Sequence, residues 1–371
     1  MQATIPHSRS TLLHLVQALP TSGARAVLPF DIDGETYLAV PQLAEDIPGQ
    51  PAYMNGGNSD IGMPIYRWAD GHFVEVQRLA VSGGEDAEFF RIGARAFLAT
   101  ASLRTGSGPY SLDADSIIFE WRDGSFVPFQ RQPGFAAKQW RHFQIGTRHF
   151  LGFAQGVLMD GVASKNPSQS TILEWDGSAF VPFQDVPSAW GYNWTHFTLA
   201  GQDYLAYADH VTPSLLMRWN GSRFEAFQTL AESGGRAFCF FTIGAQAFIA
   251  FANLQGNSLL YRWDGAQFQV HQTLSGPGGR EFAYLEHGGE HYLIQANFIT
   301  GSPKAPLTTQ ESLVYRFVDG RMAVADTFTT FGATSVSRFK VGGDTLIAVA
   351  ESLSAEVRFR TDTRIYRFGG H

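Results

Sequence analysis

The chain has 371 residues, of which 44% are hydrophobic, 14% aromatic and 16% charged; this excludes a disordered chain and suits many short strands around a large core. Its net charge of −7, with no run of Lys or Arg, leaves no electrostatic footprint for a phosphate backbone, so no nucleic-acid partner is expected. The single cysteine, Cys239, excludes an internal disulfide, and no apolar stretch reaches the roughly 18 residues of a membrane span.

Taken in chain order, the first element is Leu13-His14-Leu15-Val16-Gln17. His14 and Gln17 interrupt its apolar run and no basic leader precedes it, so it reads as a strand rather than a signal peptide. A soluble protein is expected, with the cytoplasm favoured and the compartment otherwise open. A repeat then runs through the chain. An aromatic closing an Ile-Tyr-Arg-Trp-like strand recurs at Trp68, Trp121, Trp175, Trp219, Trp263, Phe317 and Phe368, every 44 to 54 residues, the period of four-stranded blades. A second pair is spaced by seven residues in all seven units: Phe30 to Tyr37, Phe90 to Phe97, Phe143 to Phe150, Phe197 to Tyr204, Phe241 to Phe248, Leu285 to Tyr292 and Phe339 to Leu346. Turn formers such as Asp33-Gly34 lie between, so strands A and B form a tight hairpin of fixed register.

Strand B runs through a loop of variable length into strand C, for example Ile65-Tyr66-Arg67-Trp68. A second tight turn, such as Asp123-Gly124, leads into strand D, for example Phe126-Val127-Pro128-Phe129-Gln130. Pro128 and Pro182 place D at the sheet edge, where a missing donor is tolerated. The seventh unit stops after strand C at Phe368. Leu13 to Gln17 matches the D pattern, with Gln17 in the column of Gln77, Gln130, Gln184, Gln228 and Gln272, so the N-terminal strand is expected to close the ring. The predicted fold is all-β, a single seven-bladed β-propeller over 1–371. Its blades fall at about 21–79, 80–132, 133–186, 187–230, 231–274, 275–327 and 328–371 plus 11–18.

The pattern Phe-Arg-Ile-Gly-x5-Leu-Ala, a variable loop, Ser-Ile-Ile-Phe-Glu-Trp and Asp-Gly-Ser-Phe-x3-Gln resembles the EAR (epitempin, EPTP) repeat. It is similar to the propeller of the leucine-rich glioma-inactivated family. The resemblance runs from about Leu13 to Phe368 and implies a seven-bladed module used for protein–protein binding. It also implies a Ca²⁺ site in the central channel, because Asp86-Ala87-Glu88 is similar to an Asp-x-Glu pair that helps hold the ion there. The next blade offers Gln139 and Arg141 in those columns, and Arg141 facing Glu88 would replace the ion by a salt bridge.

Because strand direction alternates, the B–C and D–A loops share one face and the uniform hairpins share the other. The span from the strand-B aromatic to the end of C is 15 residues in blades 4 and 5 and 22 to 31 in the rest. Loops on a rigid scaffold carry binding residues. The expected binding face therefore includes Tyr53, Asn55, Asp60, Arg104 and Tyr110, with Trp190 and Trp194 near its low side and Met159, Asp160 and Lys165 in blade 3. The expected partner is a protein first, and a glycan or small molecule second. The alternative is an enzyme or metal site at the channel mouth built from Arg141, His142, Tyr192, His196 and His210, with Asp86 and Glu88. Imidazole titrates near neutrality and ligates transition metals. In the column of His142 and His196 the other blades carry Pro29, Phe89, Phe240, Tyr284 and Arg338, which points to packing. No nucleophile elbow, His-Glu-x-x-His or phosphate-binding glycine loop is present.

Overall fold

A computed structural model describes residues 10–158 and 166–369. The seven A–B aromatic pairs of the sequence stand directly opposite one another, from Phe30↔Tyr37 to Phe339↔Leu346. The turn between the first pair holds Asp33 at φ 53° and Gly34 at φ 82°, the left-handed pair of a hairpin turn that matches strand twist. Each unit then adds C and D in order. Blade 1 is Leu28–Ile32, Glu35–Ala39, Met63–Ala69 and His72–Leu79, and blade 4 is Gly191–Leu199, Gln202–Asp209, Ser214–Trp219 and Phe224–Ala231. Seven such four-stranded antiparallel sheets form a seven-bladed β-propeller with strand A innermost and D outermost. Blade 6 adds a small ribbon, Thr300–Ser302 with Ala305–Leu307, in its B–C loop.

The last sheet takes its outer strand from the N-terminus: Leu13–Ser22 pairs with Arg360–Phe368, as the sequence pattern requires. Stacking buries Leu38, Leu98, Leu151, Leu205, Ile249, Leu293 and Ile347 of the seven B strands completely, each contributing about 1.5–3 kcal/mol.

The glutamine column explains how neighbouring blades are held. In every blade the C–D register slips by one residue just before this column, for example Ile172↔Gln184 followed by Leu173↔Pro182. Such a bulge re-aims a side chain out of the ladder. Gln17 thereby accepts from Phe73 N (2.7 Å) and donates to Phe73 O (3.0 Å) of blade 1. Gln77 grips Phe126, Gln130 Phe180, Gln184 Phe224, Gln228 Phe268 and Gln272 Met322 by the same two bonds. At the seventh junction the column holds Asp326, which accepts from Thr11 N, Leu12 N and the Ser10 hydroxyl. The carboxylate thus clamps the start of the closing strand.

Gln184→Ala removes two part-buried hydrogen bonds and is expected to cost about 2 kcal/mol, read as a lower guanidinium midpoint. A chain starting at Gly23 loses the closing strand; loss of cooperative unfolding and a larger hydrodynamic radius are expected, and an unchanged transition would disprove closure.

Candidate functional site

The long loops lie on the face from which the A strands start, and they are stapled to one another. Arg104 of blade 2 reaches into the blade 1 loop: Nε donates to Ser59 Oγ (2.9 Å), Nη1 to Asn55 O (2.6 Å) and Nη2 to Gly56 O. Its guanidinium lies 3.8 Å from the Tyr110 ring, whose hydroxyl donates to Gly57 O at 2.7 Å. Asp60 accepts from Gly106 N. Four predicted site residues, Asn55, Asp60, Arg104 and Tyr110, are therefore brought together, and their polar groups mainly fix the two loops. Arg104 is buried, whereas Tyr53 at the tip is half exposed and Asp60 exposed.

On the other side of the blade 1 loop, Asp46 accepts from Phe359 N and Arg360 N and pairs with Arg358. Residues 46–51 and Arg358 border an open groove of about 590 Å³. Beneath the loops Leu43, Ala44, Phe298, Ile299, Leu353 and Phe359 form one apolar cluster that joins the loops of blades 1, 6 and 7. The polar ends of strand B cap loop backbone: Gln42 receives Ser22 N, Gln155 receives Phe135 N, and Asp209 receives Ala189 N, Trp190 N, Val211 N and Thr212 N.

The two tryptophans separate. Trp194 is fully buried, 4.1 Å from the Tyr207 ring and against Gly152, where a Cβ would meet its Cγ at 2.9 Å. It packs between blades and offers no stacking surface to a ligand. Trp190 is half-buried, edge-on to His210 at 4.9 Å. Met159, Asp160 and Lys165 lie outside the described residues.

Down the channel, Asp86 and Glu88 act as straps to the next blade. Asp86 accepts from Trp140 N (3.1 Å), and Glu88 binds Arg141 (3.1 Å) and His142 N (3.0 Å). Gln139, Asn193 and Glu281 accept likewise from Trp194 N, Phe238 N and Val336 N. Burial raises the carboxyls of Asp86, Glu88 and Glu281 above their ordinary values despite Arg141. This donor set does not fit calcium, which takes six to eight oxygens. The Arg141 guanidinium sits against Glu88, and among the described residues no three acidic, His or Cys side chains converge as a metal site.

His142 and His196 belong to an aromatic ladder between blades. His142 stacks on Phe90 at 4.6 Å and His196 on Phe143 at 4.9 Å, as Phe89 does on Phe30, Phe240 on Phe197 and Tyr284 on Phe241. Nε2 of His142 meets His149 at 3.2 Å and that of His196 meets Asp203 at 3.1 Å. Tyr192 and His210 sit instead at the loop-side mouth, so the predicted cluster is divided among three places. Burial pushes His142 down to about 4 and also lowers His196. The unfolded chain then binds more protons below its ordinary imidazole value near 6.5, so this contribution to stability is lost as pH falls from about 6.5 towards 4. In His142→Phe the drop in urea midpoint between pH 7 and pH 4.5, roughly that window, is expected to shrink; an unchanged drop would assign acid sensitivity elsewhere.

Apart from Tyr192, the column immediately before Asp86 escaped the sequence reading: Arg25, Glu85, Lys138, Tyr192, Arg236, Arg280 and Thr334. In five blades it is the extra residue of a bulge opening strand A. Contacts between blades that are not neighbours show that these side chains meet across the mouth. Arg280 of blade 6 reaches Glu85 of blade 2 (3.5 Å) and lies 5.1 Å from the Tyr192 ring of blade 4. Arg25 pairs with Glu85 at 2.8 and 3.0 Å, and Arg236 lies 3.9 Å over Tyr192. Burial alone would raise the Glu85 carboxyl, but Arg25 and Lys138 hold it below its ordinary value. Burial drives Lys138 down to about 7 and His210 to about 3. The available signal was four basic residues in one column beside small and apolar ones.

A closed ring of antiparallel four-stranded blades with variable loops on one face defines a repeat propeller, a rigid scaffold that presents loops. The EPTP domain model matches residues 14–59, 179–220, 223–264 and 267–317, just under half of the chain, which supports the EAR (EPTP) repeat propeller family. It is 29% identical over 168 residues to the thrombospondin-type laminin G domain and EAR repeat-containing protein of Mus musculus, and 27% identical over 167 residues to that of Homo sapiens. Each alignment covers 44% of this chain and 24% of the relative, so the matched region spans about a quarter of those proteins' length. Among solved structures, BBS1N in its complex with ARL6DN superposes with a TM-score of 0.59 at 12% identity over 97% of each chain, a likeness of fold alone. EPTP propellers are generally protein-interaction modules, and this fold is consistent with a non-catalytic binding or scaffold domain. Among the described residues no helix is long and apolar enough to cross a membrane.

Proposed function

We propose that this propeller is a non-catalytic binding module that holds a protein partner on its loop-rich face, at the rim formed by the loops of blades 1, 2 and 7. The observation that carries this reading is the Arg104 staple. It holds an otherwise irregular loop in one shape and leaves the Tyr53 tip outside. A loop fixed before binding loses little entropy on association, and tyrosine supplies large contact area with few rotamers to freeze. The groove beside it, between residues 46–51 and Arg358, adds concave surface. Burial of Trp194 and partial burial of Trp190 favour a protein over a glycan, because a sugar platform needs an exposed ring face. Among the described residues the catalytic alternative's set is divided, since His142 and His196 lie in the inter-blade ladder, Arg141 in the channel and Tyr192 at the mouth.

Excision of the exposed tip from Pro48 to Tyr53 is expected to abolish retention of a cross-linked partner. Arg91→Ala with Lys340→Ala, on the opposite hairpin face, is expected to leave it intact. Retention by the tip-excised protein would sink the assignment of the rim.

A further inference from the structure

We propose that the basic ring at the channel mouth binds a small oxyanion, with Arg236 as its principal ligand and Lys138 beside it. The proposal is independent of the protein-binding rim, because it rests on a different layer of the molecule.

The ring formally carries four cations, Arg25, Lys138, Arg236 and Arg280, against one carboxylate, Glu85. Glu85 is already used: Arg25 holds both of its oxygens and Arg280 shares one. The carboxylates one layer down, Asp86, Glu88 and Glu281, are engaged by Trp140 N, by Arg141 with His142 N, and by Val336 N. None of these ion pairs reaches Arg236. Arg236 is 5% exposed, its guanidinium makes its close contact with the Tyr192 ring face, and Nη1 is buried without a hydrogen-bond partner. The Lys138 ammonium, 5.7 Å from the same ring, donates to Ala136 O at 3.1 Å. Trp190 Nε1 and His210 Nδ1, at the same end of the channel, are also buried without partners.

Buried charges are paired in stable proteins, and an unpaired guanidinium is costly. The open groups are a guanidinium, an ammonium and an indole N–H, all of them donors, with one imidazole nitrogen whose role depends on tautomer. The ligand that satisfies several donors while offsetting positive charge is an oxyanion, for which the planar arginine fork is well shaped. A metal cation is excluded by the same charge. Phe298, 5.4 Å from the Arg25 guanidinium and part of the apolar cluster under the loops, places apolar bulk beside the ring, which favours a small occupant. Phosphate, sulfate and a carboxylate share this chemistry.

The test uses the whole chain with inorganic phosphate, sulfate and acetate as probes, each against sodium chloride at equal ionic strength. A ligand that binds the folded state raises the melting midpoint with concentration, so phosphate and sulfate, or acetate if the natural group is a carboxylate, are expected to raise it above the chloride control. In calorimetric titration Arg236→Met and Lys138→Met are each expected to weaken the preferred probe by about tenfold or more. In anion-free buffer Arg236→Met is expected to be at least as stable as the wild type, since it removes an unpaired buried charge; a purely structural arginine would give the reverse. If Arg236→Met fails to fold, the structural reading wins and the proposal falls unless Arg236→Lys, folded, shows the same loss of affinity. The proposal is overturned if no probe exceeds chloride, or if affinity in the folded variants stays within roughly twofold of wild type.

Discussion

The interaction on which the propeller depends is the junction between one blade's outer strand and the next. Seven units must turn through a full circle, and each leaves backbone groups of its D strand facing the neighbour rather than a ladder partner. Such groups are costly when dried and unpaired. A single-residue bulge followed by glutamine meets the need, because the carboxamide both accepts and donates and so satisfies an N–H and a C=O of one residue together. The pattern breaks where the chain closes on itself, and there Asp326 takes several donors from the entering strand.

A second set of straps runs around the channel, and it changes the meaning of its acids. Asp86, Glu88 and Glu281 face backbone N–H groups of the following blade, as the neutral Gln139 and Asn193 do in their own junctions. A carboxylate and a carboxamide serve equally well as acceptors here, so acidity in these columns does not by itself signal a cation. Arg141 fills the space beside Glu88 and converts an acidic pair into an ion pair. The same economy applies to the histidines, which occupy a stacking position that Phe89 and Phe240 fill elsewhere.

The loop face and the mouth ring divide the molecule's adaptable chemistry between them. The loops are tied by Arg104 and Asp46 and packed on Phe298, Phe359 and their neighbours, so that variation in length becomes a fixed rim. At the start of the A strands one side chain from each blade enters the same layer, five of them on bulges. A symmetric scaffold thus supplies seven positions for one layer, and this chain fills four of them with cations.

The sequence by itself determined the number of blades, the A–B register and the closure by Leu13 to Gln17, because those follow from spacing, and spacing in a β-hairpin is set locally by turn length and pleat. It also determined that length variation falls on one face, since strand direction must alternate. Only the tertiary structure decided which way the polar columns point and what they meet. Asn55 and Arg104 are joined through a backbone carbonyl 49 positions away, and no local pattern reports that the arginine ends in its neighbour's loop rather than in solvent. Arg25, Glu85, Arg236 and Arg280 come from four blades and face one another only after the ring has closed. Their meeting is a property of the circle, which brings first residues of distant units within a few ångströms, and it has no counterpart in the order of the chain.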